Sequence, residues 1–501
     1  MSNLERRRLR NRLHRAIDAL LHRDEPTVSQ LPKRSPYLIR TTGDADGPDE
    51  PPALPPALDF LLRLGELLLR SGAGSVDVEA SVLASAAAIG LRDVEASVTY
   101  TQVLVSIAVG DADAPVTDLR IVRARAVDHN RLVELHQMVL ALTEGELAPT
   151  AAYQRLRVIE GAPKRYPRWG VTVAWGALAS AVAVQLGGGL LLVMVTFCTT
   201  VLIDRIGRRL AHRHVPDFYV TFAGAAIVTS VAAGLTAVGL PVQPPLVVAG
   251  CVVVLMPGLA LLAAVQDALT GFMVTAAART MEVLLLSAGI IGGLAVALIV
   301  ARQVGIVMPV QPPPPFTLLG LPHRFLSAGV VAGAMAVGLY VPLRLVPAIF
   351  LLGGSGYAAF LGLDHLLSSP STTRAVVAVG IGVCGYAVAS RRRLPALAVV
   401  LPAIVPMLPG LTIYTAMLQL TQGNSFLGIS HLLIAATDSL ALAAGVIFGE
   451  FLGQPLRRRL PRWERRYAGP RLVGPLRIRR NRQVVRLSHS RPGRTPPDGQ
   501  G

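Results

Sequence analysis

The chain has 501 residues, of which 52% are hydrophobic and only 16% are charged, and its formal net charge is +17. A soluble domain carries about 25% charged residues. This composition therefore excludes a disordered chain and a small disulfide scaffold, and it indicates a polytopic membrane protein. The 3 cysteines lie in separate apolar segments without metal-ligand or redox spacing, so we expect neither a metal site nor a cofactor.

The first 160 residues predict a basic segment, a linker and a folded domain. Arginines at positions 6, 7, 8, 10, 12 and 15 come without the apolar core of a secretory signal, and residues 41–57 are rich in proline, glycine and acid. Residues 1–57 are thus predicted to be a disordered segment and linker. Residues 58–160 are predicted to form a small α+β domain with two helices, three strands and two more helices. We expect Ser75 and Asp128 to cap helices and His129 to lie on the surface.

Ten apolar segments follow Trp169, each of about 17 to 25 residues, the length that crosses a ~30 Å hydrocarbon core. The predicted spans are 169–187, 188–204, 217–239, 246–265, 280–301, 325–342, 345–363, 372–390, 395–418 and 427–452. Basic connections precede the first span and follow the second, eighth and tenth, which places all of them on one side of the membrane. Both termini and the N-terminal domain are therefore predicted to be cytoplasmic, at the inner membrane.

A cationic tail follows the last span. Residues 455–501 hold fourteen arginines and two acids. A basic segment beside a span can contact anionic lipid headgroups. Nucleic-acid binding is disfavoured, because no aromatic residues alternate with the arginines.

The fourth and fifth spans resemble the ninth and tenth. VLMPGLALLAAVQDALTG matches VPMLPGLTIYTAMLQLTQG, and alignment of AGIIGG with AGVIFG places Glu282 opposite Asp438. The membrane region is thus predicted to consist of two five-helix halves, residues 161–301 and 302–454. Because five is an odd number of spans, the second half is predicted to be inverted relative to the first, as in many secondary transporters.

Each half contains a Pro-Gly pair inside an apolar segment, at matching places. A proline there removes a helix hydrogen bond and frees backbone groups. Broken helices of this kind bind substrate in transporters, although two kinked packing helices would give the same pattern. The predicted breaks are at Pro257-Gly258 and Pro409-Gly410.

Ionisable residues inside spans are costly and usually functional. We predict that Glu282 and Asp438 bind the coupling proton or a substrate amino group. Arg279 lies on the same helical face as Glu282, so it is predicted to pair with it or to bind a substrate carboxylate, with a structural salt bridge as the alternative. Four residues nearer the span ends are expected in solvated or interfacial places: Asp267, Asp364, His365 and Glu450. Weaker candidates are His431, Gln185 and Thr437.

Several motifs, in order, resemble the threonine/serine exporter family over about residues 58–453. They are LLLRSGAGSVDVEASVLASAAAIGLRDVEASVTYTQVLVS, RIVRARAVDHNRL, YPRWGVTVAWGALASAVAVQLGGG, DRIGRRLAHR, MPGLALLAAVQDALTGFMVTAAARTMEVLLLSAG and MLPGLTIYTAMLQLTQG. The resemblance implies a cytoplasmic N-terminal domain, ten membrane helices and export of L-threonine and L-serine driven by the proton motive force. Its implied partners are a small amino acid, protons and membrane lipids.

We therefore predict a proton-coupled secondary transporter in which one repeat rocks against the other. The alternatives are a passive small-solute channel, which would lack proton coupling and saturation, and a membrane-tethered regulatory protein acting through its cytoplasmic domain. Homo-oligomerisation stays open. Hydrolysis by the N-terminal domain is disfavoured, because Asp128 and His129 are adjacent and no serine lies in GxSxG. We expect no catalytic residues.

Overall fold

The computed structural model describes residues 54–91, 93–108, 115–122, 127–306, 320–367 and 369–454. Residues 1–53 of the predicted basic segment and linker, and the arginine-rich tail, lie outside the described residues.

The N-terminal domain has two helices, a three-stranded sheet and two further helices. The helices are α1 (Leu54–Arg70), α2 (Ser75–Ala88), α3 (His129–Thr143) and α4 (Pro149–Gly161). The strands are β1 (Val94–Val98), β2 (Gln102–Ile107) and β3 (Val116–Ile121), and they pair antiparallel in the order β1-β2-β3. Helix α1 begins before position 58, where the sequence places the start of the domain.

The core of this domain lies between α1 and the middle strand. Phe60, Leu61 and Leu64 of α1 are at most 2% exposed, and Val103 of β2 is fully buried. A Cβ atom at Gly65 would lie 2.8 Å from a methyl carbon of Val103. The glycine therefore lets α1 approach β2 more closely than any larger residue would allow.

The membrane region contains twelve described helices, two pairs of which are bent helices. In chain order they are α5 (Arg168–Gln185), α6 (Leu190–His212), α7 (Asp217–Ala237), α8 (Pro244–Leu255), α9 (Gly258–Leu269), α10 (Met273–Gln303), α11 (Leu321–Gly338), α12 (Val346–Leu367), α13 (Pro370–Arg391), α14 (Leu397–Ile404), α15 (Gly410–Thr421) and α16 (Ser425–Gly453).

Six of the described helices are long and apolar enough to cross a membrane, namely α6, α7, α10, α12 with the turn before it, α13 and α16. Two bent pairs reach the same standard when each is taken as one span: α8 with α9, bent by 52°, and α14 with α15, bent by 46°. The protein is thus a mostly helical, multi-pass membrane protein with six to eight candidate spans. Helices α5 and α11 lie outside this set, so ten spans stay a prediction.

Corresponding helix pairs of the two halves pack through corresponding glycines. Helix α10 packs on α7, and α16 packs on α13. A Cβ atom at Gly289 would lie 2.7 Å from the carbonyl oxygen of Phe218, and one at Gly445 would lie 2.5 Å from that of Ala375. Small residues at such contacts let helix backbones approach closely in membranes. This packing supports the internal repeat; its inversion stays a prediction.

Candidate functional site

The two predicted helix breaks have nearly the same backbone geometry. Pro257 has φ −78° and ψ 50°, and Pro409 has φ −83° and ψ 50°. At each break the glycine N–H donates to the carbonyl two residues earlier, over 2.8 Å for Gly258 and 2.9 Å for Gly410. This is an inverse γ-turn. It withdraws the glycine N–H from the carbonyl four residues earlier, which then needs another partner.

A cavity of about 180 Å³ lies at the second break. Its polar side chains are those of Gln185, Tyr357, Arg374 and Thr412. An apolar cavity of about 150 Å³ can hold benzene, so this volume suits a solute of similar size. Helix α15 begins in the wall, at Gly410. The amides of its first turn give this wall a partial positive charge.

An ion pair with a buried carboxylate lies at one wall of the cavity. The Arg374 Nη1 of α13 lies 2.6 Å from the Asp438 Oδ2 of α16, and the side chain of Asp438 is 1% exposed. The Ser371 hydroxyl donates to the other carboxylate oxygen at 2.5 Å. The Arg374 guanidinium also lies over the Phe360 ring, 4.9 Å from its centroid. Arg374 lines the cavity directly, whereas Asp438 reaches it through Arg374.

Gln185 joins α5 to the second break. Its Nε2 donates to the carbonyl oxygen of Pro406 at 2.8 Å. Pro406 precedes Gly410 by four residues, so the amide replaces the helix hydrogen bond that the γ-turn removes. The side chain is buried, and its Oε1 has no hydrogen-bond partner among the described residues.

The surroundings of the first break differ from those of the second. Its cavity is about 40 Å³ and is lined by apolar side chains, with the hydroxyl of Ser439 as the exception. Trp175 and Met335 contribute to this lining. The two breaks therefore share a backbone turn, while the larger cavity with a cation in its wall belongs to the second.

The structure separates the predicted charged residues into two places. Asp438 lies beside the second-break cavity. Arg279 forms an ion pair with Asp267 of α9, with 3.0 Å between Nε and Oδ2. Glu282 is half-buried on α10, and neither it nor Arg279 lines the two cavities described above.

Asp267 connects the membrane region to the N-terminal domain. Its Oδ1 accepts a hydrogen bond from the backbone N–H of Ser75, the first residue of α2, at 3.1 Å. The neighbouring Gln266 donates to Asp77 at 3.4 Å. The predicted cap by the Ser75 side chain is wrong, because the carboxylate of Asp267 occupies that position. A solvated place is also wrong for Asp267 and Glu450, which are 0% and 2% exposed.

Helix α3 also docks on the membrane region. Asp128 caps it, as predicted, by accepting a hydrogen bond from the N–H of Arg131. His129 is fully buried, and its backbone N–H donates to the carbonyl of Leu339 at the end of α11. The surface prediction for His129 is wrong, because the membrane region covers the start of α3. Burial lowers the pKa of both His129 and His136 to about 4, so both are neutral at pH 7.

Two family models match the chain. One, described as "Putative threonine/serine exporter", matches residues 59–301, and the other, described as "Threonine/Serine exporter, ThrE", matches residues 323–452. A "Probable threonine/serine exporter" from Mycobacterium tuberculosis is 35% identical over 409 residues, which cover 80% of this chain and 77% of the relative. The chain belongs to the threonine/serine exporter family.

Other similarities extend this result. The "Threonine/serine exporter" of Corynebacterium glutamicum is 29% identical over 414 residues, which cover 80% of this chain and 83% of the relative. The "Probable succinate transporter subunit YjjP" of Escherichia coli is 26% identical over 226 residues, 44% of this chain and 84% of that subunit. No solved structure matches the chain.

Within this threonine/serine exporter family member, sequence reasoning missed Arg374, Tyr357 and Phe360. Arg374 lies inside the predicted span 372–390, so its charge in an apolar segment was a usable signal. The two aromatic side chains carry no such signal, because aromatic residues in spans mostly serve packing.

Proposed function

We propose that the protein exports small hydroxylated amino acids, L-threonine and L-serine, from the cytoplasm across the inner membrane, driven by the proton motive force. The observation that carries the proposal is the cavity at the second helix break, with the Arg374–Asp438 ion pair at its wall. The names of the two threonine/serine exporters that match 80% of this chain support the substrate class.

An ion pair beside a cavity is suited to a zwitterionic solute. Without substrate, Arg374 and Asp438 neutralise each other, so neither charge is buried alone. A bound amino acid would place its carboxylate on Arg374 and its ammonium on Asp438, and two ion pairs would replace one. The planar guanidinium suits a carboxylate, and the positive end of α15 lies in the same wall.

Proton coupling would follow from competition for one carboxylate. Protonation of Asp438 removes the negative charge that the ammonium needs, so a proton and an amino acid would bind in turn. An amino acid would then leave as a proton enters. Because the zwitterion has no net charge, one inward proton per amino acid would gain about 2.3 kcal/mol per 100 mV of membrane potential.

The other predicted residues take supporting places in this proposal. Glu282 occupies the position in the first half that matches Asp438, and it is the second candidate for the proton. Arg279 holds Asp267, which docks α2 of the N-terminal domain. We assign this domain, on the cytoplasmic side, a regulatory role and no enzymatic step.

The test is efflux of labelled threonine from proteoliposomes with an imposed pH gradient, with and without a protonophore. The variants are Asp438→Asn and Glu282→Gln, and the matched control is Asp118→Asn on the exposed face of β3. We expect saturable efflux that the protonophore and Asp438→Asn abolish and that Asp118→Asn leaves unchanged.

Each other outcome contradicts a specific part of the proposal. Efflux that does not saturate and ignores the protonophore would favour a passive channel. Coupled efflux that survives Asp438→Asn would refute the site. A complete lack of threonine efflux by the unaltered protein would refute the substrate.

A further inference from the structure

Gln185 is held in one orientation by the second helix break. A backbone carbonyl can only accept hydrogen bonds, so the side-chain atom 2.8 Å from the Pro406 oxygen must be the amide nitrogen. The oxygen of the same planar amide must then point elsewhere. Gln185 lines the 180 Å³ cavity, so its side-chain amide lies at the edge of that site.

This oxygen is a buried acceptor without a donor. Gln185 is 4% exposed, and its Oε1 has no hydrogen-bond partner among the described residues. The Tyr357 hydroxyl lies close to the amide but does not bond its oxygen. Buried polar atoms in proteins are nearly always paired, so an unpaired acceptor at the edge of a binding cavity points to a donor on the ligand.

We infer that Gln185 determines the preference for hydroxylated amino acids, by accepting a hydrogen bond from the substrate side-chain hydroxyl. The inference rests on the proposed function, in which Arg374 and Asp438 bind the two charged groups. Those two residues cannot distinguish threonine from valine, because both amino acids carry the same carboxylate and ammonium. A site built to hydrogen-bond a hydroxyl group discriminates strongly against an analogue that lacks it, because its own polar atom is then left unpaired.

The first break offers no equivalent group. The carbonyl that corresponds to that of Pro406 belongs to Val254, and the cavity there has no side-chain amide in its lining. The hydroxyl-accepting position is therefore specific to the second half, although the two breaks share their turn.

The experiment uses the full chain in proteoliposomes and measures how well unlabelled threonine and valine compete with labelled threonine for exchange. Valine has nearly the shape of threonine but no hydroxyl. The variants are Gln185→Met and Gln185→Glu. Methionine loses both the donor to Pro406 and the acceptor beside the cavity, whereas glutamic acid keeps an acceptor and, when protonated, a donor to Pro406. An effect of methionine on support of the break would weaken threonine and valine equally, whereas loss of hydroxyl recognition would weaken threonine alone.

We expect the unaltered protein to prefer threonine over valine by roughly 10-fold or more, as is typical when a buried hydrogen bond is lost. Gln185→Met should reduce this preference to near unity, and Gln185→Glu should retain most of it. If exchange by a variant is too slow to measure, thermal stabilisation of the purified protein by threonine and by valine gives the same ratio.

Several results would overturn the inference. An unchanged preference in Gln185→Met, or an equal loss for threonine and valine, would show that Gln185 supports the break or binds the ammonium. Loss of the preference in Tyr357→Phe, with Gln185→Met unaffected, would assign the hydroxyl to Tyr357. If the unaltered protein exchanges no threonine, the proposed function itself fails, which is a distinct outcome.

Discussion

Replacing Asp267 by alanine removes one contact inside the membrane region and one contact that joins this region to the N-terminal domain. One carboxylate oxygen lies 3.0 Å from Nε of Arg279, and the other accepts the backbone N–H of Ser75. Asp267 is fully buried and the Arg279 side chain is 5% exposed, so water cannot replace the lost carboxylate easily. The change leaves a buried cation without this partner and the first turn of α2 without its cap.

The expected loss of stability follows from these two contacts. Removing one partner of a buried ion pair costs about 3 to 5 kcal/mol, and removing a helix N-cap costs about 1 kcal/mol. We expect loss of the ion pair to weaken the contact between α9 and α10 by about 4 kcal/mol, and loss of the cap to weaken docking of α2 by about 1 kcal/mol. Since about 1.4 kcal/mol is a factor of ten, amide hydrogen exchange in α9 and α10 around the ion pair should speed up by about a thousand-fold. Exchange in the first turn of α2 should speed up by about five-fold.

Hydrogen exchange measured by mass spectrometry on the detergent-solubilised full chain gives this opening equilibrium. Asp267→Asn is the matched control, because its side-chain oxygen can still cap α2 while the charge is lost, so its effect should be smaller by about 1 kcal/mol. The double variant Asp267→Ala with Arg279→Met should recover much of the loss around the ion pair, because the guanidinium that faced Asp267 is removed as well. A change below about 1 kcal/mol in Asp267→Ala, or a double variant weaker than the single one, would refute this account.

Three further predictions concern packing, pH and docking. Gly293→Leu should lower the free energy of unfolding by about 3 kcal/mol, because the added side chain meets the backbone of α7. The control Gly234→Leu adds a side chain in open space, so it should leave the melting temperature nearly unchanged. The pKa of about 4 for His129 and His136 lies below the ordinary value of 6.5. Between these two pH values the unfolded chain binds more protons than the folded protein, so the free energy of unfolding should fall as pH drops from 6.5 to 4. The loss should reach up to about 3 kcal/mol per histidine. Replacing both by leucine should flatten that part of the curve, and a drop that persists would contradict the assignment. Tyr166→Phe removes a hydroxyl that donates to a backbone carbonyl after α11 at 2.6 Å; we expect a loss of about 1 kcal/mol in thermal unfolding, and no change would mean that this contact does not hold the domain.

The order of helices and strands was accessible from the sequence because it depends on local patterns. Apolar runs and alternation placed the strands and the helices of both regions, and the repeated Pro-Gly pairs located both breaks. The alignment of the two halves also placed Glu282 opposite Asp438, and Asp438 is one member of the ion pair beside the cavity. What the alignment could not supply was the partner of Asp438, since Arg374 is separated from it by a bent helix pair and has no counterpart motif.

The environment of each charged residue depended on the tertiary structure. Asp267 and Glu450 lie near helix ends, where sequence position predicts water or the membrane surface, yet both are buried, and Asp267 lies against α2 of a separate domain. His129 is buried for the same reason, because the end of α11 covers the start of α3. The hydrogen bond that orients Gln185 likewise joins it to a carbonyl more than two hundred positions away. Hydropathy and turn residues are properties of neighbours in the chain, whereas burial and charge pairing are decided by which segments pack together.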